Sequence, residues 1–304
     1  MITSSVTASQ LKKALQKVKN KSDLVLSDLS NVDKNDLAGS IQKIIKFAKL
    51  FDECQGAGFH NSIYRGKNLG SVFTDEQKEA VRSGTFDDLF IGDYWNFENV
   101  SYNWEDDDGS IQTSTWSGKM CVAHFDYHSG NAHHQMMLIP SKALFQRRYS
   151  DTSPMTVAYA NSDIRKKKSG MLRAKKLITA CFKQDILDKN YSVFYHTIVD
   201  GKQAKPDWEY GIGCELLSES MCFGSIIIGN SATTCPGEGG GRSANEYVQV
   251  RIFGYTPKFM AQDCWLQDIV SPTCLAFVSS GGRAYQYPVT YTAGIRPYFV
   301  VGFD

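Results

Sequence analysis

The densest collection of metal-capable side chains is HFDYHSGNAHHQ, which carries His124, Asp126, His128, His133 and His134. Imidazole nitrogens and a carboxylate oxygen are ligands for divalent cations such as zinc. In a strand, His124, Asp126 and His128 share one face by two-residue periodicity. One chemical reading is therefore a metal-dependent hydrolase using the 124–134 cluster, with His124, Asp126, His128 and His133 as ligands. The spacing matches no helical or knuckle metal motif, so a polar hairpin is the plainer expectation.

Two other runs invite chemistry. PGEGGGRS (Pro236–Ser243) is glycine-rich, but no Lys-Ser/Thr follows and the next segment, EYVQVRIFGY, reads as a strand, so a phosphate cradle is not expected. A surface loop is expected instead. RKKKSGMLRAKK (Arg165–Lys176) holds seven basic residues without interleaved aromatics, which predicts a solvated loop and helix face. There is no G-x-S-x-G elbow and no H-E-x-x-H. The eight cysteines include no C-x-x-C pair, which points to small core residues in a reducing compartment. No cofactor is implied.

The elements that would position these residues fall into two parts. Residues 1–58 read as a helical arm. Thr7 and Gln10 fit a capping box, and Leu11, Leu15 and Val18 follow at helical spacing. A second helix is expected from Asp33, with Leu37, Ile41, Ile44, Ala48 and Phe51 on one stripe. That stripe must pack on the main domain or on sister subunits, so it is the candidate oligomerisation surface. Gln55–Gly58 marks the boundary.

Residues 59–304 read as one strand-rich domain. Thr74 and Gln77 open a short helix that Gly84 ends. FDDLFIGDYW is strand-like, and Glu105–Gly109 reads as a loop tip. Lys119–Tyr127 and Gln135–Ile139 are strand candidates. Ser169–Asp188 reads as a helix with Leu172, Lys176 and Thr179 on one side and Ile178 and Phe182 broadening the apolar face. From Tyr191 onwards YSVFYHTIV, YVQVRIFGY, CLAFVSSGG and RPYFVVGF alternate with Gly, Pro and Ser turns. Short strands with frequent turns predict a mainly antiparallel α+β fold.

Lys plus Arg number 33 and Asp plus Glu 32 in 304 residues, so nothing in the charge balance steers the chain to nucleic acid or an anionic membrane. No apolar stretch approaches the roughly 20 residues that span a bilayer. Neither specific nucleic-acid binding nor membrane insertion is expected. The N-terminus lacks the layout of a signal peptide, which predicts folding in cytosol.

Two blocks carry a resemblance. IYRGKNLGSVFTDEQKEAVRSGTFDDLFIGDYW (Ile63–Trp95) and CWLQDIVSPTCLAFVSSGGRAYQYPVTYTAGIRPYFVVG (Cys264–Gly302) together resemble virion-associated structural proteins of tailed phages and prophages of Gram-positive bacteria. The closing W-L…G-I-R-P pattern is similar to the end of C-type-lectin-like and sulfatase-modifying-factor-like folds. The resemblance covers Tyr64 to Asp304. It implies a C-type-lectin-like domain after the helical arm, with Trp265, Leu266, Gly294, Ile295, Arg296 and Pro297 as framework. It also implies a non-enzymatic, surface-exposed and homo-oligomeric virion protein, assembled in the host cytoplasm among other virion proteins. Tail adhesin and head decoration or fibre protein are its two versions. The calcium motifs of sugar-binding lectins (E-P-N or Q-P-D with W-N-D) are absent. Ser271–Tyr291 becomes the variable surface, with Ser280, Arg283, Tyr285, Tyr287 and Tyr291 as candidates for a host-receptor face; inter-subunit packing is the competing reading.

Overall fold

The computed structural model describes residues 56–128, 133–199, 202–224 and 249–303, together with the helical positions Gln42 and Ile45. The predicted stripe Leu37, Ile41, Ile44, Ala48 and Phe51 and the Pro236–Ser243 run lie outside these residues. The fold is α+β, with antiparallel sheets and short helices.

The chain enters through a single turn, α1 (Ala57–His60). Ala57 packs on the core. His60 Nδ1 lies 2.6 Å from the Leu89 carbonyl, and the Asn61 amide group brackets Phe125, donating to its carbonyl and accepting from its N–H, both at 2.9 Å. Next comes α2 (Asp75–Arg82), opened by the expected capping box. Thr74 Oγ1 accepts from Gln77 N, and Gln77 Oε1 accepts from Thr74 N at 3.0 Å. Gly84, at φ +70°, follows its end.

FDDLFIGDYW is not one strand. Phe86 and Asp88 take left-handed φ values of 51° and 54°, and regular pairing starts only at Tyr94. The cause is Arg65. Its guanidinium draws in Asp88 at 2.5 Å and Asp93 at 2.6 Å, and Asp93 also accepts from the N–H groups of Phe90 and Lys67. Burial pushes the Asp93 carboxyl up, and the Arg65 and backbone hydrogen bonds pull against that shift.

The first sheet runs β1 (Tyr94–Glu105), β2 (Ile111–Phe125), β3 (Gln135–Pro140), then β12 (Pro297–Gly302) and β7 (Cys214–Leu216). The β1–β2 connection is the predicted loop tip, with Asp106 N donating to Ser110 O. All six residues of β3 are buried. That explains its unbroken apolar run: a strand covered on both faces loses polar alternation. After it come β4 (Phe145–Arg148), α3 (Asp163–Lys166) and α4 (Arg173–Phe182). The expected Ser169–Asp188 helix ends at Phe182, because Lys183 turns left-handed at φ 56°. Its buried face is Ala174, Leu177, Ile178, Cys181 and Phe182; Lys176 is exposed and Leu172 is 40 % exposed, so the predicted side is rotated.

The hairpin β5 (Ser192–Val199) and β6 (Lys202–Tyr210) stands as a separate two-stranded sheet. Then follow β7 (Cys214–Leu216) and α5 (Glu219–Phe223). Residues 251–255, read as strand, form a helix instead, α6 (Arg251–Tyr255). Ile252 and Phe253 are buried there, and a short apolar run does not by itself distinguish strand from helix. The chain closes with β8 (Cys264–Ser271), β9 (Cys274–Val278), β10 (Ala284–Pro288), β11 (Thr292–Ile295) and β12 (Pro297–Gly302). The second sheet has the order β10-β9-β8-β11-β4, and its β8–β11 contact at Cys264 and Gly294 is parallel. At Gly294 an added Cβ would sit 2.5 Å from Asp263 O and 2.8 Å from Ala143 Cβ, so this junction takes only glycine.

The basic run is the largest departure from expectation. Arg165 is 2 % exposed and buried against Glu215, with Nη2 to Oε1 at 2.9 Å. Tyr159 Oη donates to Glu215 Oε2 at 2.6 Å, and Ile212 N donates to Oε1. Arg173 stacks over Trp104 at 3.9 Å and over Phe145 at 4.3 Å. Lys167 and Lys168 pair with Asp151 and Glu105. These charges fasten loops and helix to the sheets.

Candidate functional site

The candidate receptor residues Ser280, Arg283, Tyr285 and Tyr287 fall on the β9–β10 hairpin at an edge of the second sheet, and Tyr291 lies just beyond β10. Its register opposes Tyr285 to Phe277 and Tyr287 to Leu275. The turn is held by Ser279 N donating to Arg283 O at 3.0 Å, by Gly282 at φ +73°, and by Ser280 N donating to Asp263 Oδ1 at 2.6 Å. Two-residue periodicity puts Tyr285 and Tyr287 on the same face.

Their rings form a ladder. Tyr285 and Tyr287 have centroids 5.4 Å apart, and Tyr287 stacks on Tyr291 at 4.5 Å with an interplanar angle of 18°. The ladder rests on the core. Phe277 meets Tyr287 edge-on at 4.9 Å, and Trp265 meets Phe277 at 5.6 Å and Tyr291 at 6.4 Å. Trp265 is fully buried, whereas Tyr285 and Tyr291 are 55 % and 46 % exposed. The result is two exposed phenols, Tyr285 and Tyr291, joined through the half-buried ring of Tyr287 on a rigid base, able to contribute flat apolar area and hydroxyl hydrogen bonds at small entropic cost. Ser280 and Arg283, both exposed, lie in the turn at the hairpin's end. The structure therefore brings Tyr285, Tyr287 and Tyr291 together and sets Ser280 and Arg283 beside the strand end. Sequence reading treated Trp265 as framework and did not connect Phe277 to the surface. The signal available was the aromatic spacing at 285 and 287.

The histidine hairpin is dispersed. β2 ends at Phe125, and Asp126 turns left-handed at φ 49°, which breaks the periodicity that would have aligned His124, Asp126 and His128. His124 Nδ1 accepts from Arg251 N at 3.3 Å, and its ring packs edge-on to Tyr127. Asp126 accepts from Gln135 N and meets His134 Nδ1, both at 2.8 Å. His128 sits in an aromatic box, 4.5 Å from Tyr191, 5.2 Å from Tyr127 and 5.7 Å from Tyr298. Burial pulls both His124 and His128 down to about 3, so each is neutral at physiological pH. His133 Nε2 contacts Asp188 Oδ2 at 2.8 Å, beside a cleft of about 260 Å³ that Lys189, Asn190 and Gly302 also line. Among the described residues, no three His, Cys, Asp or Glu side chains converge on a point that would hold a metal ion. The expected ligand set His124, Asp126, His128 and His133 is therefore not gathered round one point among the described residues: the Tyr127 ring lies against both His124 and His128, while Asp126 and His133 bond to His134 and Asp188.

The described cysteines at 121, 181, 214, 222 and 264 are buried free thiols, and Cys274 is half-buried. Burial pushes Cys121 and Cys181 up to about 12, which keeps them protonated and unreactive. A wider groove of about 780 Å³ runs along α2, lined by Asp75, Glu76, Glu79, Asp87 and Asp88 among others. Lys78, Arg82, Arg65 and Lys67 already bridge Asp75, Glu79 and Asp88 there. No helix among the described residues is long and apolar enough to cross a membrane. No protein-family model matches this chain, and no curated protein or solved structure matches it either.

Proposed function

We propose that this protein is a multimeric structural component of a tailed-phage particle, exposed on its surface, and that the β9–β10 hairpin is its receptor-contacting face. The observation that carries this reading is the ladder of Tyr285, Tyr287 and Tyr291, held outward by Phe277 and Trp265. Exposed aromatics fixed on a rigid scaffold are typical anchors of recognition surfaces. The sequence resemblance at Ile63–Trp95 and Cys264–Gly302 supplies the particle. In both blocks the residues at its heart have structural work: Arg65 organises the first, and Trp265, Gly294 and Arg296 are packed in the second. A C-type-lectin-like identity for the domain belongs to the same proposal, supported by the α+β architecture and by the adjacent closing strands β8 and β11. In this reading the chain binds and assembles; it does not catalyse.

The test is a phage carrying Tyr285→Ala, Tyr287→Ala and Tyr291→Ala together. Single alanine changes at anchoring tyrosines cost about 2 kcal/mol or more of binding. The triple variant is therefore expected to assemble normally and to bind host cells at least about 30-fold more weakly. Unchanged adsorption by fully assembled particles would contradict the receptor face, and failed assembly would assign the ladder to inter-subunit packing instead.

A further inference from the structure

An imidazole and a carboxylate meet over the end of the first sheet. His133 Nε2 lies 2.8 Å from Asp188 Oδ2, with the two side chains 15 % and 4 % exposed. Asp188 is fixed in place: its Oδ1 accepts from Asn190 N at 2.8 Å, and its own N–H donates to Val300 O at 2.9 Å. The pair sits against Gly302 on β12. A Cβ on Gly302 would come 2.9 Å from Asp188 Oδ2 and 3.0 Å from His133 Nε2, so a larger residue would push into the contact.

The strand partner of Gly302 is Gln135 on β3. Residues opposite one another in an antiparallel pair project to the same face, so the Gln135 side chain lies on the side of the sheet that carries His133 and Asp188. Gln135 is 1 % exposed, and among the described residues neither its Nε2 nor its Oε1 has a hydrogen-bond partner. Two more unpartnered polar atoms stand nearby. One is His128 Nε2, on a ring that Asp188 is near enough to act on electrostatically; the other is Tyr191 Oη, whose ring lies 4.5 Å from that of His128. A buried polar atom without a partner is costly, and four gathered beside one cleft call for an occupant.

The chemistry of these groups defines that occupant. The Gln135 amide both donates and accepts, a phenol does the same, and a neutral imidazole nitrogen can do either. One acid, Asp188, and one lysine, Lys189, line the cleft, so it favours neither an anion nor a cation. Hydroxyl groups match this set, since each donates and accepts at a single atom. The cleft holds about 260 Å³, just below the roughly 300–1,000 Å³ usual for ligand sites, which suits a small molecule. We propose that it is a binding site for a small uncharged polyol, whose hydroxyls pair with the Gln135 amide and the Asp188 carboxylate. The ligand reaches Gln135 by displacing the His133 ring, the more exposed partner of the pair. This site lies on the first sheet, apart from the ladder on the second, and stands or falls separately from the receptor face.

Saturation-transfer NMR of the full-length protein with myo-inositol as the probe tests the site. A saturable signal is expected, undiminished by inorganic phosphate, and Gln135→Leu should weaken binding by about tenfold or more. The same substitution should leave stability to urea unchanged or raised, because leucine removes an unpaired amide from the interior. Binding and stability therefore move apart, which a purely structural glutamine would not produce. A loss of stability in Gln135→Leu would show that the amide already has a partner and would overturn the proposal. The absence of a saturable myo-inositol signal would also overturn it, leaving internal water as the occupant. Displacement of myo-inositol by phosphate would do the same, by making this an anion site.

Discussion

Glu215→Ala is expected to remove about 3–5 kcal/mol of folding stability, the usual cost of leaving one member of a buried ion pair without its partner. Glu215 is fully buried and Arg165 is 2 % exposed. Without the carboxylate, the guanidinium keeps only its bonds to the carbonyls of Ala160 and Tyr210, at 3.3 and 2.7 Å. Tyr159 Oη loses its acceptor while still accepting from Leu216 N at 2.8 Å. The loss propagates because β7 is the edge strand of its sheet, paired to β12 through Glu215 opposite Tyr298. Urea unfolding is the measurement, read as a fall in midpoint at constant slope. A cost under 1 kcal/mol would mean that the pair is not buried as described. The double change Glu215→Leu with Arg165→Met should recover much of the loss, since apolar replacement removes both desolvated charges together.

Trp265→Ala is expected to cost a similar amount, about 3–5 kcal/mol, by opening a cavity that its neighbours cannot fill. Trp265 is fully buried, donates from Nε1 to Arg147 O at 3.0 Å, and touches the rings of Tyr149, Phe277 and Tyr291. Losing it also removes the floor of the ladder, so near-ultraviolet circular dichroism from the tyrosines should weaken even where the protein remains folded. Tyr285→Ala is the contrast. That ring is half exposed and touches no core aromatic, so its removal should shift stability by no more than about 0.5 kcal/mol. Thermal unfolding of the two variants side by side separates support from presentation. Equal destabilisation would contradict the division of labour between Trp265 and Tyr285.

What could be read from sequence was local. The capping box at Thr74 and Gln77 lies within four residues, and the apolar run of β3 needs only its own composition, so both predictions match the structure. The features that escaped depend on distant partners or on a single backbone angle. Arg165 looked like part of a solvated run because its acid, Glu215, lies 50 residues away. FDDLFIGDYW looked like a strand until Arg65, 23 residues before Asp88, folded it into turns. The histidine set was lost to one left-handed residue, Asp126, since a change of backbone direction sends successive side chains to different neighbours. The tyrosine face was legible as residues but not as a ladder. Tyr291 joins it from beyond the end of β10, and Trp265 supports it from β8.

The proposed function puts this chain on the outside of a phage particle with the β9–β10 hairpin outward. Electron microscopy of intact virions with a gold-labelled antibody against residues 279–291 tests it most directly. The account predicts gold at a symmetric set of positions on the particle surface, and its loss when the antibody is preadsorbed with the hairpin peptide. Purified virions that contain none of this protein, or that contain it but never bind the antibody until disrupted, would contradict it.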